Sequence, residues 1–192
     1  ITRAETASIA ASILNISGEG TADFADVSSS HKNYRDISAV VSAGIMSGSG
    51  GYFNPDNIIS KTEFITVLLR TAGYRDIAEQ LGGYPYGYLK LASETRLSGG
   101  LDDYYSPVSS SDAMKLLYKL LNIDYAGVDD VYTINGNAVS SLYTLGSGKT
   151  VLKQFFGIDK VKGVVCATEN IYIGNRKLTN KNNAIVCSDG VD

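Results

Sequence analysis

Residues 54–74 read "NPDNIISKTEFITVLLRTAGY": a turn, a hydroxyl residue, a carboxylate three positions on, and then an apolar run. Ser/Thr-x-x-Glu ahead of an apolar run is the capping box. Its hydroxyl accepts from the amide of the third helical residue, and its carboxylate accepts from the amide of the cap residue. Ser60 and Glu63 fill these places. The same spacing recurs on either side. "ITRAETASIAASILNI" (1–16) and "VSSSDAMKLLYKLLNI" (108–123) align without a gap on "ISKTEFITVLLRTAGY" (59–74), bringing Thr2 with Glu5 and Ser109 with Asp112 into register. Each box is worth about 1 kcal/mol. Asp112 is one methylene shorter than glutamate, so the third box is expected to be the weakest.

A second helix precedes two of these three. "NYRDISAVVSAGIMSG" (33–48) aligns with "YPYGYLKLASETRLSG" (84–99), each expected to form about three helical turns ending near Ser-Gly. Between the paired helices lies a glycine-rich turn and a "YFNPD" or "YYSP" loop. Helix pairs of this size cannot bury their apolar stripes alone, so the copies should stack into one bundle. The N-terminal copy holds only the capped helix. From about Asp124 the texture changes: "DDVYTINGNAVSSLYTL" alternates around a hairpin turn at Asn135-Gly136, and "GKTVLKQFFGI" suits a short helix. The segment beyond it reads as strands with a second turn at Gly174-Asn175. The expected class is therefore α+β: a mainly helical repeat bundle followed by a small β-rich domain whose last strand runs into the chain end.

Composition narrows the partners. The chain has 192 residues, 44% hydrophobic and 19% charged, with a net charge of −3, which suits one large or two small globular domains. Clustered Lys and Arg are absent, so a nucleic-acid backbone is a poor partner. Apolar runs are too short to span a membrane, and no basic and apolar leader opens the sequence. Its start at Ile1 reads as a cut after a signal peptide. Tyr outnumbers Phe 13 to 5 and Trp is missing, a balance that favours half-exposed aromatic surfaces, among them saccharide-facing ones. Cys166 and Cys187 are too far apart for a Cys-x-x-Cys site; they either pair across neighbouring strands or sit as two small buried thiols, and the reduced form is favoured.

Residues 1–123 resemble S-layer homology domains of Gram-positive, clostridial-type bacteria. The resemblance rests on "ITRAE" (1–5), "FADVSSSHKNY" (24–34), "AGIMSGSGGYFNPDNIISKTEF" (43–64) and the divergent "GGYPYGYLKLASETRLSGG" (82–100). These follow, in order, the family's Phe-x-Asp-Val start, His-Trp-x-Tyr helix start, Gly-Ile-x-x-Gly turn, Phe-x-Pro loop and Thr-Arg-Ala-Glu helix start. The implied division is a repeat bundle over 1–124 and a β-rich domain over 125–192. The bundle comprises a partial first repeat (1–23), a second (24–78) and a divergent third (79–124). The resemblance further implies pseudo-threefold packing and a secreted, non-catalytic surface protein that anchors to the cell wall. Its ligand would be an acidic, pyruvylated secondary wall polysaccharide, received in grooves between repeats, where the arginine of the Thr-Arg-Ala-Glu motif is central. The physics agrees, because a guanidinium fork at a helix N-terminus pairs with a carboxylate in line with the macrodipole.

Carried onto this chain, that role falls on Arg3. Lys61 holds the place in the second copy, keeping the charge without the fork, and Ser110 holds it in the third and keeps neither. Lys32 stands where the family has Trp. Asp26, Tyr34, Gly48 and Tyr52 are the expected groove-lining residues. A rival reading is a structural or protein-interaction scaffold that has lost glycan binding and meets other surface proteins. Enzymatic readings are weaker. Thr2, Glu5, Ser60, Glu63, Ser109 and Asp112 are accounted for by helix capping, and the single histidine, His31, supports no catalytic triad. "LGSGKT" (145–150) lacks the first glycine of a phosphate loop, that place being Tyr143. No cofactor or metal is expected, since Asp102-Asp103 and Asp129-Asp130 lack the alternating ligands of a Ca²⁺ loop. Tyr84 and Tyr86 are left between a sugar-stacking platform and loop packing, with Tyr88 in the core.

Overall fold

The computed structural model describes residues 1–18, 23–126, 132–134, 137–139, 148–160, 164–168 and 184–187. In chain order the helices are α1 (Arg3–Leu14), α2 (Tyr34–Ser42), α3 (Lys61–Thr71), α4 (Arg75–Gln80), α5 (Tyr86–Glu94), α6 (Ser110–Asn122) and α7 (Val151–Phe156). Strands β1 (Tyr132–Ile134) and β2 (Asn137–Val139) precede α7, and β3 (Val164–Thr168) and β4 (Ala184–Cys187) follow it. The chain divides into two compact units, Ile1–Gly157 and Ile158–Asp192.

Side-chain caps start three of the long helices. The Glu5 amide donates to Thr2 Oγ1 at 3.2 Å while the Thr2 amide donates to Glu5 Oε2 at 2.9 Å. Ser60 and Glu63 form the same reciprocal pair at 3.3 and 2.9 Å. At α6 only the forward arm exists, from the Asp112 amide to Ser109 Oγ at 3.0 Å. The shorter Asp112 carboxylate instead lies 3.7 Å from Lys61 Nζ and 3.7 Å from Lys115 Nζ. Its acidity is raised first by the Ser109 hydroxyl, then, against some burial, by those two lysines.

Helix α3 is the hub. Phe64, Ile65, Leu68 and Leu69 are fully buried, more than one stripe can account for, because α1, α5 and α6 all pack on it. Burial of each such side chain contributes about 1.5–3 kcal/mol. On α1 the buried face is Ala4, Ala7, Ala10 and Ala11, small residues that let a neighbouring backbone come close. The packing also follows a rule along the chain: α2 lies on α1, α5 on α3, and α7 on α6. Each capped helix thus carries a later helix. The strap after α6 is tied down on both sides. Ala126 N donates to Ala72 O (2.9 Å), Tyr74 Oη to Asp124 O (2.9 Å), Tyr125 N to Lys149 O (2.9 Å) and Val151 N to Ile123 O (2.9 Å). Burial, with the Asp124 charge adding to it, pushes the Tyr74 hydroxyl up to about 12.

The expected α+β class is corrected. The described residues are mainly helical, and strand is confined to two antiparallel ribbons, β1–β2 and β3–β4, of two strands each. Alternation over three to five residues suffices for a ribbon, but a β-rich domain needs further strands or a covering layer to bury one face. No such layer is present among the described residues. Ile134 pairs with Asn137 in the β1–β2 ribbon. The expected turns at Asn135-Gly136 and Gly174-Asn175 lie outside the described residues, as do the side chains of Cys166 and Cys187.

Candidate functional site

An open groove of about 350 Å³ lies where the first turn of α1, the turn after α2 and one face of α3 meet. Arg3 comes from α1, Ile45, Met46 and Ser47 from the turn, and Glu63, Thr66, Val67 and Arg70 from α3, with Ile59 and Tyr84 completing it.

Its construction starts from Asp26. That carboxylate accepts from the amides of Phe53 (2.9 Å) and Asn54 (2.6 Å), fixing a loop in which Asn54 stands at φ 58°. Asparagine tolerates this left-handed conformation better than most residues. Desolvation pushes the Asp26 pKa up, but the backbone donors and the nearby Arg3 outweigh it, so Asp26 titrates below its ordinary range. The loop so fixed drives Phe53 fully inside, its ring 5.5 Å from that of Phe24. Gly48 makes the close approach feasible. A Cβ there would lie 2.3 Å from Phe24 Cε1 and 2.5 Å from Tyr52 O, distances no side chain survives without a shift of backbone.

Arg3 is then held from three directions. Its guanidinium carbon lies 4.9 Å from the Phe53 ring centroid, Nε donates to Phe53 O (2.9 Å) and Nη2 donates to Ser47 O (2.8 Å). The remaining nitrogen, Nη1, is 3.9 Å from Glu63 Oε1. A cation at the first helical residue is opposed by the helix dipole, and the two carbonyls offset that penalty while locking the fork. Arg70 supplies a second guanidinium on the same groove. Nε donates to Tyr88 Oη (2.8 Å), Nη1 to Ile45 O (3.2 Å), and the group lies 5.1 Å over the Tyr88 ring. Two oriented guanidinium groups and a nearby carboxylate suit recognition of an anion that also carries hydroxyls. Nothing in the groove resembles a nucleophile with its base.

The expected residues fall into different places. Arg3 lines the groove, while Asp26 and Gly48 act beneath it, through Phe53 and Phe24. Tyr34 packs, partly buried, against the core, and Tyr52 is about half exposed without lining the groove. Lys61 stands at a second corner, donating from Nζ to Asp102 O (3.0 Å) beside Asp112. Arg70 was missed, although Glu63, Thr66, Val67 and Arg70 follow the i, i+3, i+4, i+7 spacing of one helical face. That face is legible once Glu63 is placed.

Residues 23–65 match the family model of the S-layer homology domain, so the chain carries an S-layer homology domain. Such domains are generally non-catalytic cell-wall anchoring modules that bind secondary cell-wall polymers and imply a cell-surface, cell-wall-associated setting. No curated protein matches the chain. No helix among the described residues is long and apolar enough to cross a membrane.

Proposed function

We propose that residues 1–126 anchor this protein to the wall by binding an acidic secondary cell-wall polysaccharide, with a pyruvate ketal as the recognised anion. The observation that carries the reading is the groove at Arg3, open to solvent and holding a guanidinium already oriented by two carbonyls. A ketal carboxylate approaching Nη1 replaces the long contact with Glu63, and Arg70 adds positive potential at the other side. Lys61 is the corresponding cation of the second corner. Its ammonium already meets Asp112 and the Asp102 carbonyl, so it contributes less.

The same engagement of Lys61 favours a second reading, in which parts of the bundle serve as scaffold and meet other surface proteins. The two are separated by co-sedimentation of the protein with cell-wall sacculi before and after acid removal of the secondary polysaccharide. Polysaccharide-dependent pelleting, lost in the Arg3→Ala/Lys61→Ala double variant, supports anchoring. A folded protein that ignores intact sacculi, or a double variant that pellets like the parent, defeats the assignment.

A further inference from the structure

The three capped helices can be laid on one another from Thr2, Ser60 and Ser109, and one face then differs. The places held by Ala7, Ala10 and Ala11 in α1, and by Ile65, Leu68 and Leu69 in α3, fall on Met114, Leu117 and Tyr118 in α6. The first six are buried, whereas Met114 is 68% exposed and Tyr118 63%. Helices α1 and α3 each carry a nine-residue helix, α2 and α5, while α6 carries α7, which has six residues. Between α1 and α6 lies an apolar cleft of about 400 Å³, whose lining includes Ile9, Ile13, Leu117, Leu121 and Phe156. The cations of the other corners are replaced here: Ser110 stands in the place of Arg3 and Lys61, and Ser12 in that of Arg70. This corner offers an anion nothing.

On α1 and α3 a helix packs where α6 is left open, and α6 itself is a helix that fits. Met114, Leu117, Tyr118 and Leu121 run at i, i+3, i+4 and i+7, a second apolar stripe beside the core residues Ala113, Leu116 and Leu120. Set antiparallel against another copy, the stripe is self-complementary. Met114 comes level with Leu121 of the second copy, and Leu117 with Tyr118. We propose that two copies of the protein pair through α6 about a twofold axis, each covering the stripe and closing the cleft of the other. Lys115, which is exposed, then comes level with the last turn of the facing helix, whose free carbonyls favour a cation. The patch is a few hundred Å² per copy, so the pairing is micromolar or weaker. It does not depend on the saccharide reading, because no residue lining the Arg3 groove takes part.

Sedimentation equilibrium of the purified chain from about 5 to about 500 μM brackets the affinity expected of so small an interface. The parent should pass from monomer to dimer across that range. Met114→Lys/Tyr118→Lys changes two exposed positions, where folding tolerates substitution, and should stay monomeric throughout with an unchanged far-UV spectrum. The twofold is tested with Tyr118→Glu and Tyr118→Lys. Each alone juxtaposes like charges and should dimerise at least about tenfold more weakly than the parent, while an equimolar mixture should recover association. A parent that remains monomeric at the highest concentration overturns the proposal. So does a dimer that survives the double variant, or a mixture that associates no more tightly than its components.

Discussion

Two corners of the bundle are built on one backbone plan and filled differently. At the start of α1, the amides of Arg3 and Ala4 donate to Asn57 O and Pro55 O, and Arg3 Nε reaches Phe53 O. At the start of α3, the amides of Lys61 and Thr62 donate to Ser106 O and Tyr104 O, and Lys61 Nζ reaches Asp102 O. The left-handed residue follows in both, Asn54 at φ 58° and Asp103 at φ 50°. So Phe53 corresponds to Asp102. The written motifs "YFNP" and "YYSP" point elsewhere, to Tyr105, three residues along. The difference teaches that the backbone register comes from the helix ends seeking carbonyls for their orphan amides, while the side chain in that register decides whether the corner has an aromatic floor. Corner one has Phe53 under a guanidinium. Corner two has an exposed aspartate beside an ammonium.

The sharpest way to break this comparison is at its floor. Phe53→Ala should cost about 3–5 kcal/mol in urea unfolding, as for other buried aromatics, whereas Asp102→Ala should stay within about 0.5 kcal/mol because only its carbonyl is used. Next is Asp26, whose hydrogen bonds exist only in the first corner. Asp26→Asn should lose about 1.5–3 kcal/mol near neutral pH, the scale for hydrogen bonds to a charged group. With the folded pKa depressed, the Asp26 contribution is complete above its unfolded pKa of about 3.9. It disappears as pH falls through the lower folded value. Stability measured against pH should thus fall less steeply below pH 4 in Asp26→Asn than in the parent, and parallel curves would remove Asp26 from the account. Third, Arg3→Ala should weaken glycan binding about tenfold, and Lys61→Ala less than threefold, in a titration with released polysaccharide. A reversed order would make the second corner the principal site. The smallest effect separates the caps: Ser60→Ala should cost about 1 kcal/mol and Ser109→Ala about half that, because Asp112 returns no bond to its own cap.

Much of the helical frame is legible in the chain. Hydroxyl and carboxylate at a spacing of three announce α1, α3 and α6, and the apolar residues that follow announce what they bury. The paired helices α2 and α5 are legible as well, though each is nine residues rather than three turns, because the left-handed glycine and arginine near their ends close them early. The β-rich domain was misread for a physical reason: alternation signals two faces but not whether anything covers them. At the site, Arg3 and Glu63 could be read from motifs, since the motif fixes them at a helix start. Arg70 was overlooked although it shares the α3 face set by Glu63, because its relevance arises from that face meeting the turn at Ile45–Ser47; Tyr84, weighed between stacking and packing, is brought to the groove by the loop entering α5.

The strap at Ile123–Ala126 has a mechanical meaning. A protein held to the wall through the Arg3 groove is under tension whenever its C-terminal portion is pulled, and that pull enters the helices at the four bonds joining the strap to Ala72, Tyr74, Lys149 and Val151. Two of them, at Ala72 and Tyr74, connect the strap to the C-terminal end of α3, whose residues Glu63, Thr66, Val67 and Arg70 wall the groove, and the other two tie it to the start of α7. One load path from tether to anchor therefore runs along α3.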